Sequence, residues 1–122
     1  MPRRFKSGSL AGEILPDWRA VVLGPDGLRL GQWLRDGQAR LVKHGPRRAV
    51  YRVAAAGGTL FIKHYRCRRW WEAVGHLLRR SPSRREFDRA RVALARQIPT
   101  AEPIGWLESR RAGMARDNFL VT

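Results

Sequence analysis

A chain of 122 residues, 43% of them hydrophobic, can build one core and has little room for a second domain. Its 25 Lys+Arg against 10 Asp+Glu leave a net charge of +15 and a pI near 11.8, which favours nucleotide phosphates, nucleic acid or an anionic membrane face as partners. One cysteine, Cys67, excludes an intrachain disulfide, and no apolar run approaches the ~20 residues of a membrane span. The basic start, Met1-Pro2-Arg3-Arg4-Phe5-Lys6, runs into Ser7-Gly8-Ser9 and not into an apolar leader core, so a cytoplasmic protein is expected.

In chain order, residues 1–9 read as a disordered basic arm. Trp18 to Leu23, a Pro25-Asp26-Gly27 turn and Leu28 to Leu30 read as a hairpin, which completes an N-terminal segment over 1–39. From Arg40 the signals sharpen. Leu41-Val42-Lys43, Val50-Tyr51-Arg52-Val53 and Thr59 to Tyr65 read as three strands of an antiparallel meander, joined at His44-Gly45-Pro46 and Gly57-Gly58. A helix over 66–80 follows, with Trp70, Trp71, Val74, Leu77 and Leu78 at helical spacing between arginines. A second helix opens at Ser83, with Phe87, Ala90, Leu94 and Ile98 as its apolar stripe and Pro99 at its end. Ile104 to Leu107 and Asn118 to Thr122 read as two last strands, with Arg116-Asp117-Asn118 as a polar turn.

Three features bear on chemistry. Only three of the 25 basic residues are lysines (Lys6, Lys43 and Lys63), so a lysine inside the apolar strand Leu60-Phe61-Ile62-Lys63-His64-Tyr65 needs its own explanation. Period-two alternation puts Phe61, Lys63 and Tyr65 on one face, and the ammonium either snorkels at a sheet edge or meets an anion. Glu86, 23 residues downstream, is the candidate partner. Alternatively it closes a capping box with Ser83. Gly45, beside Arg47 and Arg48, lies in a turn whose amides and guanidinium groups suit phosphates. His44, His64 and His76 share no metal-ligand spacing.

A Gly-bearing hairpin, a strand with an embedded Lys, a helix with a Glu and two further strands follow the element order of a protein-kinase N-terminal lobe. Over residues 40–122 the chain resembles the lipopolysaccharide core kinases, the Kdo and heptose kinase family. The resembling segments are Arg48-Ala49-Val50-Tyr51-Arg52-Val53, Gly58 to Tyr65, Arg85-Glu86-Phe87, and Ile98-Pro99-Thr100-Ala101-Glu102-Pro103. The resemblance implies an α+β kinase-like N-lobe: a five-stranded antiparallel sheet, a regulatory-type helix and an extra basic helix, truncated at the hinge. It further implies that Lys63 holds ATP phosphates, Glu86 anchors Lys63, Gly45 and Arg48 lie over the phosphates, Val50 covers the adenine, and Thr122 borders the hinge.

The pattern departs from the family in three ways. The loop keeps one Gly where protein kinases have three, and Phe61 stands where they place a small Ala above the adenine. Neither a His-Arg-Asp catalytic loop nor an Asp-Phe-Gly metal-binding segment is present, so the groups that would hold Mg²⁺ and orient the acceptor belong to a missing C-terminal lobe. The chain alone is therefore expected to be without turnover. The basic, Trp-bearing helix over 66–80 is either a packing helix or a surface for an anionic membrane and a lipid A–type glycolipid. Two rival readings remain: a small basic nucleic-acid-binding module, and a pseudokinase-type regulatory lobe.

Overall fold

A computed structural model describes residues 1–25, 27–66, 81–111 and 114–122. The helix expected over 66–80 falls, beyond Arg66, outside the described residues, as do Cys67 and His76. The N-terminal part contains β1 (Arg3–Ser7), β2 (Leu10–Ile14), α1 (Pro16–Val22), β3 (Leu23–Gly24), β4 (Gly27–Leu28) and α2 (Leu30–Arg35). It is followed by β5 (Ala39–His44), β6 (Arg48–Ala55), β7 (Gly58–Arg66), α3 (Pro82–Ala95), β8 (Gly105–Arg111) and β9 (Met114–Val121). Among the described residues no helix is long and apolar enough to cross a membrane.

The strands β1-β2-β8-β9-β7-β6-β5 form one antiparallel sheet of seven, and β3-β4 form a separate two-stranded ribbon. This overturns the expected five-stranded kinase-like N-lobe with its regulatory-type helix. The reason lies in residues 3–14. They are no disordered arm but a hairpin that adds two strands beyond β8, with Gly12 opposite Leu107 and Ile14 opposite Gly105. The expected hairpin over Trp18–Leu30 shrinks to two residues per strand. Trp18 to Val22 instead coil into α1, which starts with Pro16 at its first turn and Asp17 beside the positive end of the helix dipole.

Alternation sorts the sheet into two faces. Ile14, Leu107, Val121, Ile62, Leu60 and Val53 point to one side, where Val22 of α1 and Leu30 and Trp33 of α2 close over them as the main core. Trp106, Leu120 and Lys63 point to the other, which α3 partly covers with Phe87. The two outer strands carry much of the charge: Arg3, Arg4 and Lys6 on β1, Arg40 and Lys43 on β5. Cationic side chains on an open edge discourage pairing with another chain.

The position of α3 is set at its start. Ser81 is the N-cap, its Oγ accepting from the Arg84 amide at 3.3 Å, with Pro82 in the first turn. The capping box expected at Ser83–Glu86 is therefore absent. Ser83 is the second residue of the helix, and both its amide and its hydroxyl donate to Asn118 Oδ1, at 3.1 and 2.5 Å. The Asn118 side chain thus satisfies an N–H that the helix leaves unpaired and pins α3 to β9. Arg116-Asp117-Asn118 is accordingly part of β9 and not a turn.

The expected apolar stripe is only half used. Phe87 is fully buried, whereas Leu94 and, past the end of the helix, Ile98 stay 42% and 51% exposed. α3 ends in a Schellman turn: Ile98 N donates to Ala93 O and Gln97 N to Leu94 O, both at 2.9 Å, with Gln97 at φ 60°. A left-handed non-glycine residue costs about 1 kcal/mol or more, part of which glycine returns as extra freedom of the unfolded chain. Gln97→Gly should therefore raise stability by about 0.5 kcal/mol, read from urea unfolding. A loss of stability would show that the glutamine side chain holds the turn.

Candidate functional site

Lys63 lies in the middle of β7, which is itself flanked by β6 and β9, so the lysine is far from a sheet edge. Its cross-strand neighbours are Val50 and Leu120, both apolar. A cation in this row needs an anion from the layer above. Glu86, one turn beyond the Ser83–Asn118 anchor on α3, supplies it, with Lys63 Nζ donating to Glu86 Oε1 at 2.5 Å. The second carboxylate oxygen accepts from Tyr65 Oη at 2.7 Å. Tyr65 reaches Glu86 because it lies two residues past Lys63 on the same face.

The electrostatics of this triad hold Glu86 and Tyr65 each in one protonation state at neutral pH. Burial pushes the Glu86 carboxyl up, but hydrogen bonds from Lys63 and Tyr65, with the charges of Lys63 and Arg48, outweigh it and hold the group below its ordinary range. Burial first, then the hydrogen bond and charge of Glu86, push the Tyr65 phenol up to about 12, with Arg48 opposing. Glu86 is thus an anion and Tyr65 a donor. The carboxylate is bonded to donors at both oxygens, and the Lys63 side chain, 32% exposed, has no other hydrogen-bond partner among the described residues.

The pair borders an open cleft of ≈ 700 Å³ between the sheet and α3. Val50, Phe61, Leu120 and Thr122 form its floor, and Ala90 and Ala93 its helical wall. Five of the residues singled out in the sequence, Lys63, Glu86, Val50, Phe61 and Thr122, therefore meet around one space. Within that floor Phe61 is 41% exposed. Thr122 is held there by paired backbone hydrogen bonds with Phe61, 2.9 Å each way.

Gly45 and Arg48 are not among the lining residues. The Gly45 amide donates to Arg48 O at 2.8 Å and closes the β5–β6 turn, so it is not offered to a phosphate. Arg48 instead pairs across the strands with Tyr65 and acts on the triad through its charge. Tyr65, Arg89 and Thr100 belong to the site and were not singled out. Strand alternation already placed Tyr65 beside Lys63, and Arg89 lies on the helix one turn past Glu86. Thr100, in the loop after α3, entered only within the resembling segment Ile98 to Pro103, with no site role attached.

On the opposite face His64 Nε2 lies 2.9 Å from Asp117 Oδ1, and its ring stacks on Phe119 at 4.4 Å between centroids. Among the described residues no group of three or more His, Cys, Asp or Glu side chains gathers to hold a metal ion. Compared with known protein families, curated proteins and solved structures, the chain matches none.

Proposed function

We infer that the chain supplies the ATP-binding part of a phosphotransferase of the lipopolysaccharide Kdo and heptose kinase type. In the reaction a sugar hydroxyl oxygen bonds to the γ-phosphorus of ATP, the bond to the β–γ bridging oxygen breaks, and ADP leaves. The hydroxyl proton passes to a base that, like the ligands for Mg²⁺, belongs to a further lobe. The observation that carries the reading is an ammonium fixed by a carboxylate beneath a helix, at the polar end of a cleft whose remaining floor is apolar. Such a cleft offers a flat heterocycle its apolar part and a polyphosphate its charged end.

The role of Lys63 is to neutralise phosphate charge from a defined position, and that of Glu86 and Tyr65 is to hold the ammonium there. Calorimetric titration of the chain with ATP at low salt tests this. Weak, saturable, salt-sensitive binding is expected, reduced about tenfold or more by Lys63→Met, as befits loss of a charge-assisted hydrogen bond. ATP binding that ignores Lys63→Met would overturn the reading. Tight binding of a single-stranded oligonucleotide, equally indifferent to Lys63, would favour the nucleic-acid module instead.

A further inference from the structure

A second group of cations lies on the same face of the sheet, toward the other end of β5 and β6. Arg40 and Arg52 are direct cross-strand partners, and Phe61 is the next residue in that row. Like charges directly opposite each other in an antiparallel pair repel, with Cβ atoms only about 5 Å apart. Sheets ordinarily place an acid or a neutral residue at one of the two positions. Here neither guanidinium makes an ion pair or hydrogen bond among the described residues, and Asp36, the nearest acid in sequence, pairs with neither. The two arginines border a hollow of ≈ 250 Å³ that also contains Gln38 and Thr59. The Gln38 amide donates to Ala54 O at 3.3 Å, while the guanidinium groups and the Thr59 hydroxyl have no hydrogen-bond partner among the described residues.

We propose that Arg40 and Arg52 form an anion site for a phosphate monoester group, separate from the Lys63 cleft. Two guanidinium groups carried by directly paired residues of adjacent strands offer paired N–H donors and two positive charges to one ligand. A phosphate monoester presents three oxygens and nearly two negative charges, enough to engage both forks and the threonine hydroxyl. A carboxylate, with one charge and two oxygens, fills one fork only. The site does not depend on nucleotide binding at Lys63.

The design leaves a signature in stability. Thermal unfolding is followed at low ionic strength for the wild type, Arg40→Gln, Arg52→Gln and Lys63→Met, across a titration of inorganic phosphate with sodium chloride at matched ionic strength as control. Without phosphate, Arg40→Gln and Arg52→Gln should melt at or above the wild-type temperature, because each removes a repulsion. Phosphate should raise the wild-type and Lys63→Met melting temperatures saturably, and each arginine variant should need about tenfold more of it. Flotation with phosphatidic-acid vesicles against phosphatidylcholine vesicles tells a lipid headgroup from a free phosphate. Arginine-dependent binding to the former assigns the lipid source, and a phosphate shift without it assigns the soluble one. Equal responses of wild type and both arginine variants to phosphate and to vesicles would overturn the site. So would a phosphate effect no larger than that of chloride combined with no vesicle binding, or a phosphate effect abolished by Lys63→Met.

Discussion

Gly12→Ala should cost the protein about 3 kcal/mol or more, at the upper end of what overpacking usually costs. A Cβ at residue 12 would lie 2.0 Å from the carbonyl oxygen of Trp106, 2.9 Å from its carbonyl carbon and 3.0 Å from Leu107 Cα. All three are backbone atoms of β8, so no side-chain rotation relieves the clash. The partner strand has its own glycine nearby: a Cβ at Gly105 would meet Glu13 O and Ile14 Cγ1, both at 2.9 Å. The seam between β2 and β8 therefore exists because two residues lack side chains. Forcing it open withdraws Phe5, Leu10 and Ile14 from the main core, which also contains Leu107 and Val121. Urea unfolding gives the magnitude, and amide exchange gives the place, with protection expected to fall first along β1 and β2. A loss below about 1 kcal/mol would mean that the N-terminal hairpin is an appendage and not part of the sheet.

That hairpin was the least legible part of the fold. Between Arg3 and Ser7 only Phe5 is apolar, and an edge strand buries little more than that, so the segment reads as solvated. Its charges are edge protection, which composition cannot tell from a flexible arm. Trp18 to Leu23 read as a strand on its valines and aromatic, although Pro16 and Asp17 already carried a helix-start signal. Burial of Val22 under the sheet settled the competition. For β5 to β7 local signals sufficed, because alternation in β6 and β7 agreed with the turns between them, whereas Arg116-Asp117-Asn118 read as a turn and is strand. Asn118 lay beyond that reach, since its partner Ser83 is 35 residues away and only the folded sheet brings them together. The Lys63–Glu86 pair was legible only in part: a lysine in a chain that otherwise uses arginine stood out, but the strand alone left it either a sheet edge or an anion, and Glu86 either that anion or the cap of Ser83.

Removing Lys63 alone should damage nucleotide binding more than removing Lys63 and Glu86 together. In Lys63→Met the Glu86 carboxylate keeps one donor, Tyr65, and turns its uncompensated charge toward the incoming phosphates. In Lys63→Met/Glu86→Gln that repulsion is gone, and affinity should recover by about threefold from the single variant without reaching the wild type. At neutral pH, stability should change little in Glu86→Gln, within about 1 kcal/mol, because side chains one-third exposed leave the ion pair well screened. Its pH dependence should change visibly. The Glu86 carboxyl is held below its ordinary 4.5, so its stabilising effect is complete above that value and is lost as pH falls through the lower folded value. Tyr65 is raised from 10.0 to about 12, so its contribution is complete below 10.0 and fades as pH rises toward 12. Glu86→Gln should flatten the acid limb and bring the alkaline loss nearer to 10.0, while burial keeps part of the tyrosine shift. Denaturant midpoints from pH 3 to pH 12, with ATP titrations of the three variants at pH 7, check both halves. An additive double variant, binding ATP worse than Lys63→Met alone, would show that Glu86 touches the ligand itself and does more than hold the lysine.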